Sequence, residues 1–332
     1  MKTFFIFLIS MFVMTSCQQN EEEIVNDGNK KASLLINEEL KTLSSFNDSI
    51  LQLRPQTRGF WGTLFATVSA DIIGTKAGFE ASVGVAAYIT AATGGTAGPI
   101  TGVAVLASSG LIGGGASYGA YKGCTLSCVP DDEFYDKLLN NMMSNQLSIA
   151  RNVNLFKTRV KNLAEIDITN RILDKELCTI TADLHNNIVN STIECEKHPT
   201  TRNNVNTYIP VEPLKKSSYE IPLFTDYEII NMNTTTNNAL KSYYNTHDYE
   251  NTLSEMITKN LISIESGNIL KLFLDALQSS NGDELNLDII INTYSKVVSE
   301  SNNIKVIDKN GLLVSFITAK NSINLWKEKI TN

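Results

Sequence analysis

Residues 81–121 read ASVGVAAYITAATGGTAGPITGVAVLASSGLIGGGASYGAY and contain no charged side chain. They lie within a longer stretch, 59–123, that holds 15 of the 19 glycines of this 332-residue chain. In the middle, residues 93–99 (TGGTAGP) have the glycine and proline chemistry of a chain reversal. The pattern therefore predicts a helical hairpin with one arm over 63–93 and the other over 100–121.

Small residues recur at intervals of four along both predicted arms. The glycines at these positions are Gly74, Gly78, Gly98, Gly102, Gly110, Gly114, Gly115 and Gly119. Glycine costs about 1 kcal/mol relative to alanine inside a helix, so it is a poor choice for a helix that needs only an apolar face. Its advantage is that two backbones can approach closely. We therefore expect these glycines to form the packing surfaces of the hairpin.

The sequence leaves two interpretations of this hairpin open. Its uncharged composition and its spacing of small residues resemble those of glycine-zipper pore formers and some hydrophobic bacteriocins, without the motif of any specific family. This resemblance implies bilayer insertion of 81–121. Alternatively, the hairpin is the central element of a soluble helical domain. Asp71, Lys76 and Glu80 on the first arm favour the soluble interpretation, because charged side chains are costly in lipid. Lys76 and Glu80 also have the i,i+4 spacing of an ion pair.

Helical periodicity continues on both sides of the hairpin. Before it, an apolar stripe at Ile36, Leu40, Leu43, Phe46, Ile50 and Leu53 predicts an amphipathic helix that Pro55 ends. We expect 31–130 to comprise this helix and the hairpin, 131–200 to form long helices, 201–247 to be loop-rich, and 248–332 to be a C-terminal helical region. The predicted fold class is mainly α: a multi-helix bundle around the glycine-rich hairpin, with few or no strands.

The N-terminus combines Lys2, a short apolar segment over 4–13 and a cysteine, Cys17, followed by QQNEEE. The apolar segment is too short to span a bilayer of about 30 Å. This arrangement resembles a bacterial lipoprotein signal peptide with its lipobox, which implies removal of 1–16 and acylation of Cys17, for example with palmitate.

The acidic run Glu21–Glu23 is similar to the export signal of Bacteroidota surface lipoproteins. It implies an acidic tether over 17–30 and a lipid anchor in the bacterial outer membrane, at the cell surface. A periplasmic location and an ordinary secretory signal are the alternatives.

Charge and cysteine content narrow the function classes. The chain has 28 basic and 35 acidic residues, a formal net charge of −7, and no basic cluster, which argues against a nucleic-acid partner.

Besides Cys17 there are four cysteines, namely Cys124, Cys128, Cys178 and Cys195. In an oxidising compartment we expect them to form two disulfides. The local pairs 124–128 and 178–195 are preferred because short loops close most easily, although the connectivity stays open.

Few residues have the spacing of a catalytic or metal site. Cys195 and His198 have zinc-like spacing, but Cys178 and His185 upstream would lie about 10.5 Å apart along a helix, too far to share one ion. His247 and Asp248 are expected to form a turn in which Asp248 caps the next helix. We therefore expect no catalytic residue, metal or cofactor.

The predicted function is that of a non-enzymatic envelope lipoprotein with a structural or partner-interaction role, and the alternative is a pore-forming effector.

Overall fold

The computed structural model describes residues 25–50, 59–92, 98–126, 130–138, 166–197, 224–280 and 282–331, and within these ranges it contains helices and no strand. The helices are α1 (Val25–Ile50), α2 (Phe60–Ala92), α3 (Gly98–Thr125), α4 (Lys175–Lys197), α5 (Asp226–Thr246), α6 (Tyr249–Thr258), α7 (Ile264–Ser279), α8 (Glu284–Glu300) and α9 (Val306–Thr331). A further helical segment covers 132–138. The predicted mainly α fold class is confirmed.

The hairpin α2–α3 is the centre of the bundle. Its two arms pack against each other and are surrounded by α4, α5 and α9. Apart from Asp71, Lys76 and Glu80 of α2, the apolar side chains of both arms are distributed around the helix, which is typical of helices in the interior of a protein. The buried apolar side chains between Leu43 and Trp326 form one continuous hydrophobic cluster. Other helices therefore enclose the hairpin over most of its length, whereas the last turns of α2, where Tyr88 is 74% exposed, lie outside this enclosure.

The first amphipathic helix is docked on this bundle. Leu43 of α1 is fully buried, and Phe46 of the same helix packs against the core. The Asn47 amide donates to the Leu272 carbonyl oxygen at 2.8 Å and accepts from the Tyr294 hydroxyl at 2.8 Å. These contacts attach α1 to α7 and α8. Because α1 begins at Val25, residues 25–30 are helical, where the sequence predicted part of the tether.

The predicted loop-rich segment 201–247 is wrong over its second half, because 226–246 form α5. A capping box starts this helix: the Thr225 hydroxyl accepts from the Glu228 amide, and the Glu228 carboxylate accepts from the Thr225 amide. Asn and Thr dominate its composition, so its hydropathy pattern is weak. Its buried face includes Tyr243 and Tyr244, which pack against the hairpin. The remaining part, 201–223, lies outside the described residues.

Candidate functional site: the glycine-rich hairpin and its buried charges

The two arms of the hairpin approach most closely where glycines face small side chains. A methyl group at Gly74 would lie under 3.0 Å from the Ala116 Cβ, and one at Gly78 would lie 2.9 Å from the Ile112 Cβ. A methyl group at Gly113 would meet the Thr75 hydroxyl at a similarly short distance. Ordinary carbon–carbon contact is about 3.5–4.0 Å. Only glycine therefore permits this separation of the helices.

Other glycines of α3 face the surrounding helices rather than α2. A methyl group at Gly110 would lie 2.9 Å from the Thr181 carbonyl oxygen of α4, and one at Gly119 would lie 2.8 Å from the Tyr244 ring of α5. Gly114 faces Ile188 of α4, and Gly102 faces Ile166. Gly115 is buried in α3. The surroundings of Gly98 lie outside the described side chains. The glycines of α3 thus serve several interfaces. Gly113 is not among the glycines predicted to pack, because the spacing within the run at 113–115 does not reveal which member faces α2.

Asp71 of α2 is fully buried and binds two other helices. Its Oδ1 lies 2.7 Å from His185 Nε2 of α4, and its Oδ2 accepts from the Trp326 indole N–H of α9 at 3.0 Å. The second ring nitrogen of His185 lies 3.0 Å from Asn186 Oδ1. Burial lowers the pKa of His185, but the Asp71 carboxylate and these hydrogen bonds outweigh burial and raise it above its ordinary value. The raised pKa favours the charged imidazolium and so an ion pair between His185 and the Asp71 carboxylate.

Ser117 lies beside this pair without forming a catalytic triad. Its hydroxyl oxygen is 3.4 Å from His185 Nε2, the same nitrogen that contacts Asp71. A hydrolase triad places its acid and its nucleophile on opposite ring nitrogens. All three side chains are also inaccessible to solvent. The arrangement connects α2, α3, α4 and α9 structurally.

Lys76 is the centre of a second buried charge cluster. It forms an ion pair with Glu80 one turn later in α2, and its Nζ lies 3.4 Å from Asp308 Oδ1 of α9. Asp308 also accepts from the hydroxyls of Ser263 and Ser266 at 2.8 and 2.9 Å. Burial raises the pKa of Asp308, but Lys76 and these hydrogen bonds lower it below its ordinary range. Burial raises the pKa of Glu80.

Space for the Lys76 side chain comes from α9. A methyl group at Gly311 would lie 2.9 Å from Lys76 Cδ, so this glycine accommodates the lysine stem. With the Lys76 and Asp71 contacts, all three charged residues of the first arm are paired within the bundle. The i,i+4 spacing predicted the pair with Glu80. The contacts with Asp308 and His185 had no local signal in the sequence.

The second arm has the length and composition of a membrane span. Within the described ranges, Gly102–Thr125 is the one candidate, and its most apolar window of 18 residues, with a mean hydropathy of 1.2, is buried inside the bundle. Core helices of soluble proteins satisfy the same criterion. The hydropathy of α3 therefore agrees with both interpretations of the hairpin. In the structure, α3 packs as a core helix against α2, α4 and α5.

Cys124 and Cys178, the two cysteines whose side chains the structure describes, are free thiols. Cys178 is buried in α4, and burial raises its pKa to about 12. Cys195 follows on the same helix, about 25 Å further along its axis, whereas a disulfide needs Cα atoms within about 7 Å. This geometry excludes the preferred local pairing of Cys178 with Cys195. Cys17, Glu21–Glu23, Cys128 and His198 lie outside the described residues.

The remaining candidates from the sequence are the helix cap at Asp248 and the groups of residues that could bind a metal. Asp248 caps α6, since its carboxylate accepts from the Asn251 amide at 3.0 Å. Within the described part of the chain, no group of three or more His, Cys, Asp or Glu side chains has the geometry of a metal site. No family model matches the chain, and neither the search of curated proteins nor the search of solved structures found a match.

Proposed function

We propose that this protein is a lipid-anchored, non-enzymatic protein of the bacterial envelope whose helical domain has a structural or partner-binding role. The observation that carries the proposal is the attachment of the hairpin to the surrounding helices by buried charges. Asp71 contacts α4 and α9, and Lys76 contacts α9. The hairpin is thereby an integral part of the folded domain.

The energetics of these pairs support a domain that keeps its hairpin inside. Removing one member of a buried ion pair typically costs about 3–5 kcal/mol, because the other charge is left uncompensated. Withdrawal of α2 would separate Asp71 from both His185 and Trp326, and Lys76 from Asp308. Lipid would stabilise none of these charges.

The anchor is tested by substitution of the lipobox cysteine. We expect Cys17→Ala to abolish palmitate incorporation and to release the protein from the membrane fraction. Normal labelling of this variant would exclude the anchor. For surface display, we expect replacement of Glu21, Glu22 and Glu23 by alanine to reduce protease accessibility on intact cells. Unchanged accessibility would exclude an export role for the acidic run.

A pore-forming effector is the second candidate, and the uncharged, apolar stretch from the end of α2 through α3, residues 81–121, favours it. In this function the charge pairs would hold the hairpin in the bundle until it inserts. The test is release of a fluorescent dye from lipid vesicles by protein lacking residues 1–17. We expect no release if the proposed structural or partner-binding role is correct.

A matched pair of variants makes this vesicle test specific. Asp71→Asn combined with His185→Gln removes the buried ion pair with little change in side-chain size. Lys271→Gln removes an exposed pair, in which Lys271 lies 3.2 Å from Glu250, and serves as the control. Dye release by the wild type that rises in the double variant and not in the control would favour the effector. Absence of release in all three proteins would exclude it.

A further inference from the structure

The last turns of α2, residues 84–92, form a projecting end of the hairpin, which we call the α2 tip. Lys76 of α2 contacts Asp308 in the first turn of α9, and α2 continues to Ala92, about 24 Å further along its axis. Helix α2 therefore extends well beyond the start of α9. The α2 tip contains no charged residue, and Tyr88 within it is 74% exposed. It is an uncharged and accessible end of the molecule.

A second exposed tyrosine lies at the same end of the bundle. The Tyr243 hydroxyl donates to the Ala66 carbonyl oxygen at 2.9 Å. Further along α2, the Ser82 hydroxyl lies 3.5 Å from the Met232 sulfur. Helices α2 and α5 are therefore antiparallel, and Tyr227, which is 79% exposed in the first turn of α5, lies at the end of the α2 tip. Tyrosine is enriched where membrane meets water, because its ring is apolar and its hydroxyl is polar.

Helix α1, which follows the predicted anchor, is directed to this end as well. Asn47 of α1 contacts the middle of α7, whereas the Glu39 carboxylate accepts from the Ser301 hydroxyl at 2.6 Å, between α8 and α9. The N-terminal half of α1 therefore points past the start of α9, in the direction of the α2 tip. Val25 lies about 21 Å beyond Glu39 along the helix axis. Cys17 precedes Val25 by eight residues, a chain length of at most about 28 Å.

The two ends of the bundle differ in charge. Helix α9 begins near the α2 tip and ends at the opposite side, where Lys327 lies 2.8 Å from an exposed Glu284 carboxylate. At the tip side, Glu265 and Lys305 belong to the starts of α7 and α9 and so lie behind the α2 tip, while Glu228 is engaged in the cap of α5. Charged groups are costly to move out of water, so the α2 tip is the end that a bilayer surface accepts at the lower cost.

We propose that the α2 tip and Tyr227 contact the headgroup region of the bilayer that carries the lipid anchor. This inference rests on the proposed anchor at Cys17. The anchor supplies the attachment, and the tip contact sets the orientation of the domain on the membrane. The rest of the hairpin stays enclosed in the bundle, so the contact requires no insertion of α2 and α3.

The experiment uses the lipidated protein, reconstituted into vesicles of phosphatidylethanolamine and brominated phosphatidylcholine. Tyr88→Trp and Tyr227→Trp each place an indole at the proposed contact. Leu126→Trp is the matched control, because Leu126 is 39% exposed just after the other end of the hairpin. The wild type, with Trp61 and Trp326, gives the baseline. We expect bromine to quench the indoles at positions 88 and 227 roughly twofold or more above that at 126, and iodide in the water to quench them less.

Flotation of the vesicles separates this inference from the proposed function. Protein that does not float would exclude the anchor and, with it, this orientation. Protein that floats but shows equal bromine quenching at positions 88 and 126 would overturn the tip contact and leave the anchor standing. Protection of position 88 from iodide without quenching by bromine would assign the tip to a second copy or another protein, and would likewise overturn the proposal. Circular dichroism should show unchanged helicity in all three variants, since each substituted side chain is exposed.

Discussion

Gly74 offers the sharpest test of the hairpin, because a single methyl group distinguishes close packing from a generic apolar interface. In Gly74→Ala the new Cβ would lie under 3.0 Å from the Ala116 Cβ, so the two helices must separate by more than about half an ångström to reach normal contact. Gly84, on the same helix, has no atom within 4 Å of a Cβ at its position. Gly84→Ala is therefore the matched control.

The expected magnitudes follow from two opposing effects. Both substitutions gain about 1 kcal/mol of helix propensity. Overpacking costs about 1–3 kcal/mol, and only Gly74→Ala suffers it. Because the propensity gain is common to both variants, the difference between their free energies of unfolding isolates the overpacking. We expect Gly84→Ala to be stabilised and Gly74→Ala to be about 1–3 kcal/mol less stable than this control.

Urea denaturation followed by circular dichroism measures the difference. Ala116→Gly removes the opposing methyl group, and in its background Gly74→Ala should no longer carry the overpacking cost; comparing the two backgrounds cancels the propensity cost of about 1 kcal/mol that Ala116→Gly itself carries. Equal stability of Gly74→Ala and Gly84→Ala would refute close packing at Gly74. Failure of Ala116→Gly to compensate would show that the cost arises elsewhere than at this contact.

Three further predictions concern buried polar groups and a turn. Contact with Asp71 raises the pKa of His185 despite burial. The contribution of this pair to the free energy of unfolding should therefore be complete below about pH 6.5, the pKa of unfolded histidine, and should be lost as the pH rises through the raised folded value. Urea titrations across this range should show the loss in the wild type and not in His185→Gln. Trp326→Phe keeps an apolar ring but leaves the Asp71 Oδ2 without its N–H donor, so we expect a loss of about 1–3 kcal/mol in the free energy of unfolding; an unchanged value would contradict the role of this hydrogen bond. Gly282→Ala should lower the melting temperature, because Gly282 has φ of 74° and a Cβ there would overlap the Trp61 ring, and a wild-type melting temperature would show that this turn relaxes freely.

The positions of most helices were predictable because their signals are local. The hairpin arms were expected over 63–93 and 100–121 and extend over Phe60–Ala92 and Gly98–Thr125. The capping of α6 by Asp248, for example, depends on neighbours a few positions away. Helix α5 was missed because its Asn- and Thr-rich surface hides the buried tyrosines in the average hydropathy.

The partners of the buried charges could not be predicted from the sequence. Asp71 and His185 are 114 positions apart, and Lys76 and Asp308 are 232 apart, so no periodicity connects them. Likewise, glycine spacing indicated close approach, but only the packing decided that Gly74 faces α3 while Gly110 faces α4. The physical reason is that helix formation depends on local backbone and side-chain preferences, whereas the assignment of faces depends on how several helices share one core. The sequence by itself determined a mainly α fold with a glycine-rich helical hairpin, and the tertiary structure decided which helices pack around that hairpin and neutralise its charges.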